Sequence, residues 1–125
     1  MKKYSSYYTK KNDKKYCLDV EGGQECDNVR IISYSCHKGN NQKFHYTRKK
    51  QLKSKSSKRC LDISKDGSQV IQKKCQPTKK SQKWKRIGKK WLSLANNKCL
   101  ETTAYNGKLI TYKCHNGPNQ QFTKE

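Results

Sequence analysis

The sequence predicts an all-β fold in which three copies of one unit close into a barrel with pseudo-threefold symmetry. Three landmarks recur in the same order: a cysteine followed by Leu and an acidic residue, a second cysteine, and a Gln separated by one residue from an aromatic residue. They fall at Cys17, Cys60 and Cys99, at Cys36, Cys75 and Cys114, and at 42–44, 82–84 and 120–122. The second cysteines are 39 residues apart in both steps. Such a fixed period is typical of repeated units, none of which can bury its apolar side alone.

Each unit consists of short segments rich in β-branched and aromatic residues, separated by polar loops such as SKDGS, AYNGK and HNGPN. These are signals of strands and turns, and no long apolar stripe with a helical period competes with them. About four strands in each unit give roughly twelve short strands, which suits a closed barrel capped by hairpins. We expect one domain over residues 1–125, with repeats at approximately 4–47, 48–87 and 88–125.

Disulfides are expected to compensate for a thin hydrophobic core. Only 30% of the residues are hydrophobic, the mean hydropathy is -1.28, and there are seven cysteines without a Cys-x-x-Cys motif. The repeats favour the pairs Cys17–Cys36, Cys60–Cys75 and Cys99–Cys114, and each bridge would contribute about 3 kcal/mol in the chain-entropy model. Six cysteines allow about 15 pairings, so this connectivity is a hypothesis. Cys26 is left over, as a free thiol, an intermolecular bridge or a bystander on a loop.

The number of cysteines also indicates an oxidising compartment. The N-terminal segment MKKYSSYYTKKNDKK lacks the apolar stretch of a signal peptide, and the chain has no apolar run long enough to span a membrane. We therefore expect a secreted or extracellular protein in its mature form, from which the signal peptide has been removed. A cytosolic protein with reduced cysteines is the alternative.

The three landmarks resemble those of the ricin B-chain type lectins, whose repeats are marked by Gln, any residue and Trp. The resemblance extends from about Tyr16 to Phe122, and Phe44 and Phe122 stand where that family has Trp. It implies a β-trefoil in which each repeat can hold one sugar, commonly of the galactose type. Phe44, Trp84 and Phe122 are then expected in the core.

The resemblance also implies which residues contact the sugar. The carboxylate lies two residues after the first cysteine, the aromatic ring two residues before the second cysteine, and the amide immediately before the Gln. A pyranose has a nonpolar C–H face and a rim of hydroxyls, so these three groups suit it as a stacking surface and as hydrogen-bonding partners. The implied sites are Asp19, Tyr34 and Asn41 beside Gln42 in the first repeat, and Glu101, Tyr112 and Asn119 beside Gln120 in the third.

The second repeat departs from this pattern. It keeps Asp62 and Gln82 but has Lys73 at the ring position and Ser81 at the amide position. Because it lacks a stacking face, we expect it to have lost simple sugar binding. Gln82 persists even in this degenerate site, so the main role predicted for the three Gln residues is to satisfy backbone groups near the hairpins.

The charge of the chain favours an anionic partner as the alternative function. The sequence has 30 basic and 9 acidic residues, a formal net charge of +21, and such a surface attracts polyanions over a Debye length of about 10 Å. A low-GC genome would also produce many lysines, although here they are concentrated in 48–59 and 73–90. The residues predicted to bind an anionic ligand are Lys73, Lys74, Lys79 and Lys80. The β-trefoils of the fibroblast growth factor type bind heparin with basic loops, an analogy of fold alone.

Other classes of function are disfavoured. The sequence has no motif that reads DNA or RNA, and only four of its basic residues are Arg, so nucleic acid is not the expected partner. Catalysis is not expected because the acidic residues of interest belong to shallow, repeated sites. His37 and His115 follow structural cysteines and are interpreted as loop residues. No metal or cofactor is predicted.

These observations together predict a noncatalytic, multivalent lectin for glycans of the galactose or N-acetylgalactosamine type. Its expected use is adhesion to a cell surface or an extracellular surface. The alternative is a basic trefoil that acts in adhesion, signalling or cytotoxicity by binding heparin or other sulfated or sialylated glycans through its lysine-rich face.

Overall fold

Twelve β-strands in three four-stranded antiparallel sheets make up the computed structural model, which describes residues 3–125. The strands are β1 (Tyr7–Lys11), β2 (Lys14–Val20), β3 (Ile31–Ser35), β4 (Phe44–Tyr46), β5 (Leu52–Ser54), β6 (Cys60–Ile63), β7 (Val70–Lys73), β8 (Trp84–Ile87), β9 (Lys90–Ser93), β10 (Cys99–Thr102), β11 (Leu109–Tyr112) and β12 (Thr123–Lys124). Short 3-10 turns lie at Glu21–Gly23, Asn40–Gln42, Lys80–Gln82 and Pro118–Gln120. No helical segment of residues 3–125 is long and apolar enough to cross a membrane. The prediction of an all-β fold with about twelve short strands is confirmed.

The two ends of the chain belong to the same sheet. Two sheets contain consecutive strands, β4 to β7 and β8 to β11, whereas the third has the order β12-β1-β2-β3. Tyr7 of β1 lies opposite Lys124 of β12, so the last strand completes the sheet that the first strand begins. Single bridges connect the sheets at Ser5 and Phe44, at Arg30 and Ile71, and at Ile32 and Lys108. The three sheets are therefore joined to one another as well as within themselves.

The aromatic residue of each Gln-x-aromatic landmark marks the passage from one sheet to the next. Phe44 and Trp84 are the first residues of β4 and β8, and Phe122 directly precedes β12. The strands β4 and β8 pair with β5 and β9 of the following unit, and β12 pairs with β1 of the first unit. The repeat boundaries near residues 47 and 87, and the single domain over 1–125, stay predictions from the alignment of the repeats.

Equivalent residues of the three units meet in one core. The Leu that follows the first cysteine of each unit is fully buried, at Leu18, Leu61 and Leu100. The landmark aromatics Phe44, Trp84 and Phe122 are also fully buried in the same cluster, as expected. Each buried side chain of this size contributes roughly 1.5–3 kcal/mol. The three units therefore share one core, to which each contributes an equivalent Leu and an equivalent aromatic residue.

Each disulfide connects the first strand of a hairpin, β2, β6 or β10, to the loop that follows the second strand, β3, β7 or β11. The three bridges are Cys17–Cys36, Cys60–Cys75 and Cys99–Cys114, with Cα atoms 5.1, 5.1 and 5.0 Å apart. The predicted pairing within repeats is thus confirmed. Cys26 forms no disulfide within residues 3–125, and its side chain is exposed.

Candidate functional site

A buried Gln organises the same corner of each unit. Gln42, Gln82 and Gln120 are fully buried. The Oε1 atom of each accepts a hydrogen bond from the backbone N–H of the residue after the second cysteine, at 2.8, 2.9 and 2.9 Å. The Nε2 atom donates to the carboxylate of Asp19, Asp62 or Glu101, at 2.8, 3.1 and 3.0 Å. Because the Gln side chains are fully buried, they orient the carboxylates from inside the fold, and direct contact of Gln42 and Gln120 with a sugar stays a prediction.

The first repeat brings its three predicted sugar contacts together. In the β2–β3 register Cys17 lies opposite Tyr34 and Asp19 opposite Ile32, which places the side chains of Asp19 and Tyr34 on the same face of the hairpin. The Asn41 amide donates to Asp19 Oδ1 and to the Val20 carbonyl, both at 3.1 Å. Tyr34 is 46% exposed and therefore presents its ring to solvent beside these polar groups.

The carboxylate of Asp19 keeps acceptor capacity for a ligand. Burial raises its pKa, while the hydrogen bonds from Gln42 and Asn41 and the nearby His37 oppose that shift. Each carboxylate oxygen accepts one of the two amide hydrogen bonds and keeps a lone pair that can accept a second one. Asn41 Oδ1 accepts no hydrogen bond from residues 3–125. The site therefore offers acceptors on two side chains next to one exposed ring.

The sequence alone indicates loop residues at His37 and His115, but the structure places both imidazoles beside the carboxylates of the candidate sites. The Nδ1 atoms of His37 and His115 accept the backbone N–H of Gly39 and Gly117, both at 2.9 Å. In a neutral imidazole this bond leaves the proton on Nε2. Nε2 of His115 lies 2.9 Å from Glu101 Oε1, and Nε2 of His37 lies 3.6 Å from Asp19 Oδ2. Both imidazoles therefore turn a donor toward the site carboxylate.

The glycine of each His-Xaa-Gly segment is required by this packing. A Cβ atom at Gly39 would lie 2.7 Å from His37 Cε1, and one at Gly117 would lie 2.8 Å from His115 Cε1. Both distances are far inside van der Waals contact. A signal for these residues was present in the sequence, because His and Gly occur only in the two repeats that also keep the Tyr and the Asn.

The third repeat has the same elements in a different hydrogen-bonding arrangement. Tyr112 is 54% exposed, and its ring is packed edge-on against His115 with centroids 6.5 Å apart. The longer side chain of Glu101 brings Oε1 within reach of both His115 and Gln120. Among residues 3–125, no hydrogen bond joins Asn119 to Glu101. Glu101 Oε2 is thus left for a ligand. The Asn119 amide, however, is not held by the carboxylate as the Asn41 amide is in the first repeat.

In the second repeat, a lysine forms an ion pair with the carboxylate. Lys79 Nζ donates to Asp62 Oδ2 at 2.8 Å, and Asp62 is fully buried. Burial raises the pKa of Asp62, but the hydrogen bonds from Lys79 and its neighbours outweigh that effect and hold the pKa below its usual value. Beside this pair, Lys65, Lys73 and Ser81 line a hollow of about 620 Å³. The carboxylate is therefore already neutralised, and the hollow is cationic.

The four lysines predicted to bind an anion do not share one location. Lys73 and Lys79 line the hollow described above. Lys80 is the first residue of the 3-10 turn, and it lines a different hollow together with Arg48. Lys74 has an exposed side chain, and its backbone N–H donates to Asp27.

Comparisons with known proteins agree with this architecture. The C-half of an earthworm R-type lectin, in complex with GalNAc, has a TM-score of 0.85 at 24% identity, with 98% of each chain covered. The β-trefoil lectin of Vibrio vulnificus hemolysin/cytolysin, with N-acetyl-D-lactosamine bound, has a TM-score of 0.81 at 21% identity over 97% of this chain and 92% of that one. An agglutinin from Abrus precatorius has a TM-score of 0.85 at 16% identity over 99% of this chain and 48% of that one. These similarities confirm the predicted β-trefoil.

No curated protein sequence matches the chain significantly. The sequence model of the family described as "Ricin-type beta-trefoil lectin domain" matches residues 6–122, almost the whole chain. The predicted resemblance is thereby confirmed, and the chain belongs to the ricin-type β-trefoil lectin domain family.

Proposed function

We propose that the protein is a noncatalytic lectin that binds glycans of the galactose or N-acetylgalactosamine type through its first and third repeats. The observation that carries this proposal is the repeated constellation of carboxylate, exposed ring, amide and histidine. Asp19, Tyr34, Asn41 and His37 form it in one repeat, and the same residue types, with Glu for Asp, form it in the other. The ligands in the structures of the earthworm and Vibrio lectins support this choice of sugar.

The arrangement suits the two surfaces of a pyranose. The nonpolar C–H face stacks on the ring of Tyr34, while adjacent hydroxyls donate to the Asp19 carboxylate and to Asn41 Oδ1. The Nε2–H group of His37 donates to a sugar oxygen on the same rim. A single shallow site of this kind binds near 1 mM, or about -4 kcal/mol. Two such sites on one rigid domain give multivalent attachment to a dense glycan surface.

An NMR titration of the backbone amides with lactose tests the proposal. At about 0.5 M salt, exposed charges are screened within a few ångströms, so attraction to the lysines contributes little. We expect saturable shifts at Asp19, Tyr34 and Asn41, and a second set at Glu101, Tyr112 and Asn119. Maltose at the same concentrations is the matched control and should leave both sets unchanged. Absence of lactose shifts, together with absence of shifts with N-acetylgalactosamine, would exclude this function.

The biological role proposed for the lectin is secretion and adhesion to a cell surface or an extracellular surface. Three disulfides fit an oxidising environment. A second candidate function is the binding of anionic glycans through the lysine-rich face. The specific observation in its favour is that Lys79 neutralises Asp62, which leaves Lys65 and Lys73 without a carboxylate in that hollow.

A further inference from the structure

Two adjoining hollows lie beside the 3-10 turn Lys80–Gln82 and share part of their lining. The first has a volume of about 420 Å³ and is lined by Arg48, Lys49, Lys50, Lys80 and Lys83. The second has a volume of about 660 Å³ and includes Arg48, Lys49 and Lys53 in its lining. Both hollows have Arg48 and Lys49 in their lining, so they adjoin at these two residues. We name the two hollows together the basic groove and define it by Arg48, Lys49, Lys50, Lys53, Lys80 and Lys83.

The charge of the basic groove is not compensated inside the protein. Within residues 3–125, none of its six basic side chains forms an ion pair, and no acidic residue lines either hollow. The sequence contains no acidic residue between Asp27 and Asp62, or between Asp66 and Glu101. Six neighbouring cations repel each other and focus a positive potential in the groove. A bound polyanion would relieve that repulsion.

The walls of the basic groove are held in place by hydrogen bonds. Gln51 is buried and its Nε2 atom donates to Gln82 Oε1 at 2.8 Å and to the Gln76 carbonyl at 2.9 Å. The Lys50 carbonyl accepts the Trp84 N–H at 2.8 Å. Lys83 Nζ donates to the Lys49 carbonyl at 2.7 Å. The turn that carries Arg48 to Lys50 is therefore fixed against the segment that carries Lys80, so binding orders little additional backbone.

The basic groove is not a general consequence of the fold. Counting from the landmark Gln, Lys80 and Lys83 correspond to Pro118 and Gln121 in the third repeat. The hollow that contains Pro118 and Gln121 has only Lys10 and Lys89 as basic lining residues. The second repeat therefore carries a concentration of charge that the equivalent place in the third repeat lacks.

We propose that the basic groove binds a linear sulfated glycan of the glycosaminoglycan class, at a site separate from the galactoside sites. Such a chain combines regularly spaced anions with nonpolar sugar faces. Lysines supply the complementary charge, while Tyr46, Pro77 and the Cys60–Cys75 bridge give the second hollow an apolar surface. The exposed rings of Tyr34 and Tyr112, which could stack on bases, lie in the other two repeats. A sulfated glycan therefore fits the groove better than a nucleic acid does. This inference rests on the second candidate function and places it in the basic groove, which is separate from the hollow lined by Lys65, Lys73 and Lys79.

The test compares two variants of equal net charge in the full chain. The groove variant combines Arg48→Gln, Lys49→Gln, Lys53→Gln and Lys80→Gln. The control variant combines Lys10→Gln, Lys14→Gln, Lys89→Gln and Lys98→Gln, whose side chains are exposed and lie outside the groove. The probe is a size-defined heparin oligosaccharide, and its affinity is measured by calorimetry or fluorescence between about 0.05 and 0.3 M salt. The amide NMR spectra of both variants verify that the fold is retained, and lactose titration of both variants reports on the galactoside sites.

We expect the groove variant to lose at least about tenfold in heparin affinity and much of its salt dependence, because counterion release accompanies each ionic contact. The control variant should lose less than about threefold. Equal losses of heparin affinity in both variants would show that net charge alone attracts heparin, and the assignment of the basic groove as its site would be wrong. If a DNA duplex of the same charge, or vesicles containing phosphatidylserine, bound as tightly as heparin and depended equally on the groove, the glycan assignment would be overturned. The lactose result is independent of all these outcomes, so failure of the groove and failure of the lectin function are distinguishable.

Discussion

Tyr34 and Tyr112 are large aromatic residues that the fold leaves about half exposed, at 46% and 54%. Neither belongs to the hydrophobic core, whose aromatics are fully buried at equivalent positions. Truncation of these rings therefore removes little buried surface, and exposed substitutions of this kind usually change the free energy of unfolding by less than about 0.5 kcal/mol. An effect on ligand binding can thus be separated from an effect on folding.

The Tyr34→Ala substitution should weaken lactose binding in the first repeat by about tenfold or more, because a stacked ring contributes on the order of 1 kcal/mol or above. The third repeat, in the same molecule, serves as the internal reference and should keep its shifts. Tyr34→Phe retains the ring and should retain most of the affinity. Amide NMR titration measures all three results. Unchanged shifts at Asp19 and Asn41 in the Ala variant would contradict the proposed role of the ring.

The loop between the second cysteine and the landmark Gln differs among the repeats by a single residue. Gln follows the cysteine by six positions in the first and third repeats and by seven in the second. Counting back from Gln, Lys79 stands where Gly39 and Gly117 stand. A Cβ at that position is compatible with Gln76 in place of His, whereas it would clash with the imidazole in the other repeats. The loop of the second repeat thus places a lysine that binds Asp62 where the other two repeats place a histidine beside the carboxylate.

The Lys79→Gln substitution should lower the free energy of unfolding by about 1–3 kcal/mol near pH 7, because it leaves a buried carboxylate without its cationic partner. The folded-state pKa of Asp62 is held below its usual value, so its contribution to stability is present above the unfolded-state pKa and is lost as pH falls through the folded-state pKa. The difference between the variant and the natural sequence should therefore shrink in acid. Chemical denaturation at several pH values, with the disulfides intact, measures it.

Lys74→Gln is the matched control for that measurement, since it removes the same charge from an exposed side chain of the same loop region. Its free energy of unfolding should stay within about 0.5 kcal/mol of the natural sequence. If both substitutions had the same effect, or if the effect of Lys79→Gln persisted at low pH, the ion pair would not be the cause.

The repeated landmarks predicted the disulfide pairs, the buried aromatics and the number of strands because these features depend on positions that recur at nearly constant spacing. They also located Asp19, Tyr34 and Asn41 in one place. The spacing of the landmarks could not predict that His37 presents an N–H donor to the site. That property depends on the hydrogen bond from the Gly39 N–H to Nδ1, which only the structure shows. The basic groove is likewise formed by segments far apart in the sequence, and only the fold brings Arg48 next to Lys80.

At the scale of the whole molecule, the pseudo-threefold barrel carries two potential sugar sites and one cationic repeat on a single rigid body. Weak sites on one body gain from each other when the surface presents many copies of the ligand, because the second contact is intramolecular. If the proposed function is correct, we expect binding to a surface to depend on both Tyr34 and Tyr112, and each site to bind free lactose independently.

The variants Tyr34→Ala and Tyr112→Ala, alone and combined, should reveal this dependence on a surface that displays galactose. At about 0.5 M salt, where the lysines contribute little, each single substitution should reduce surface retention by about tenfold to a hundredfold. The affinity of the intact site for free lactose should meanwhile be unchanged. The double variant should lose at least about tenfold more surface retention than either single one, because its remaining site is weakened as well. Full surface retention by a single variant would mean that one site suffices, and multivalent attachment through two repeats would then be wrong.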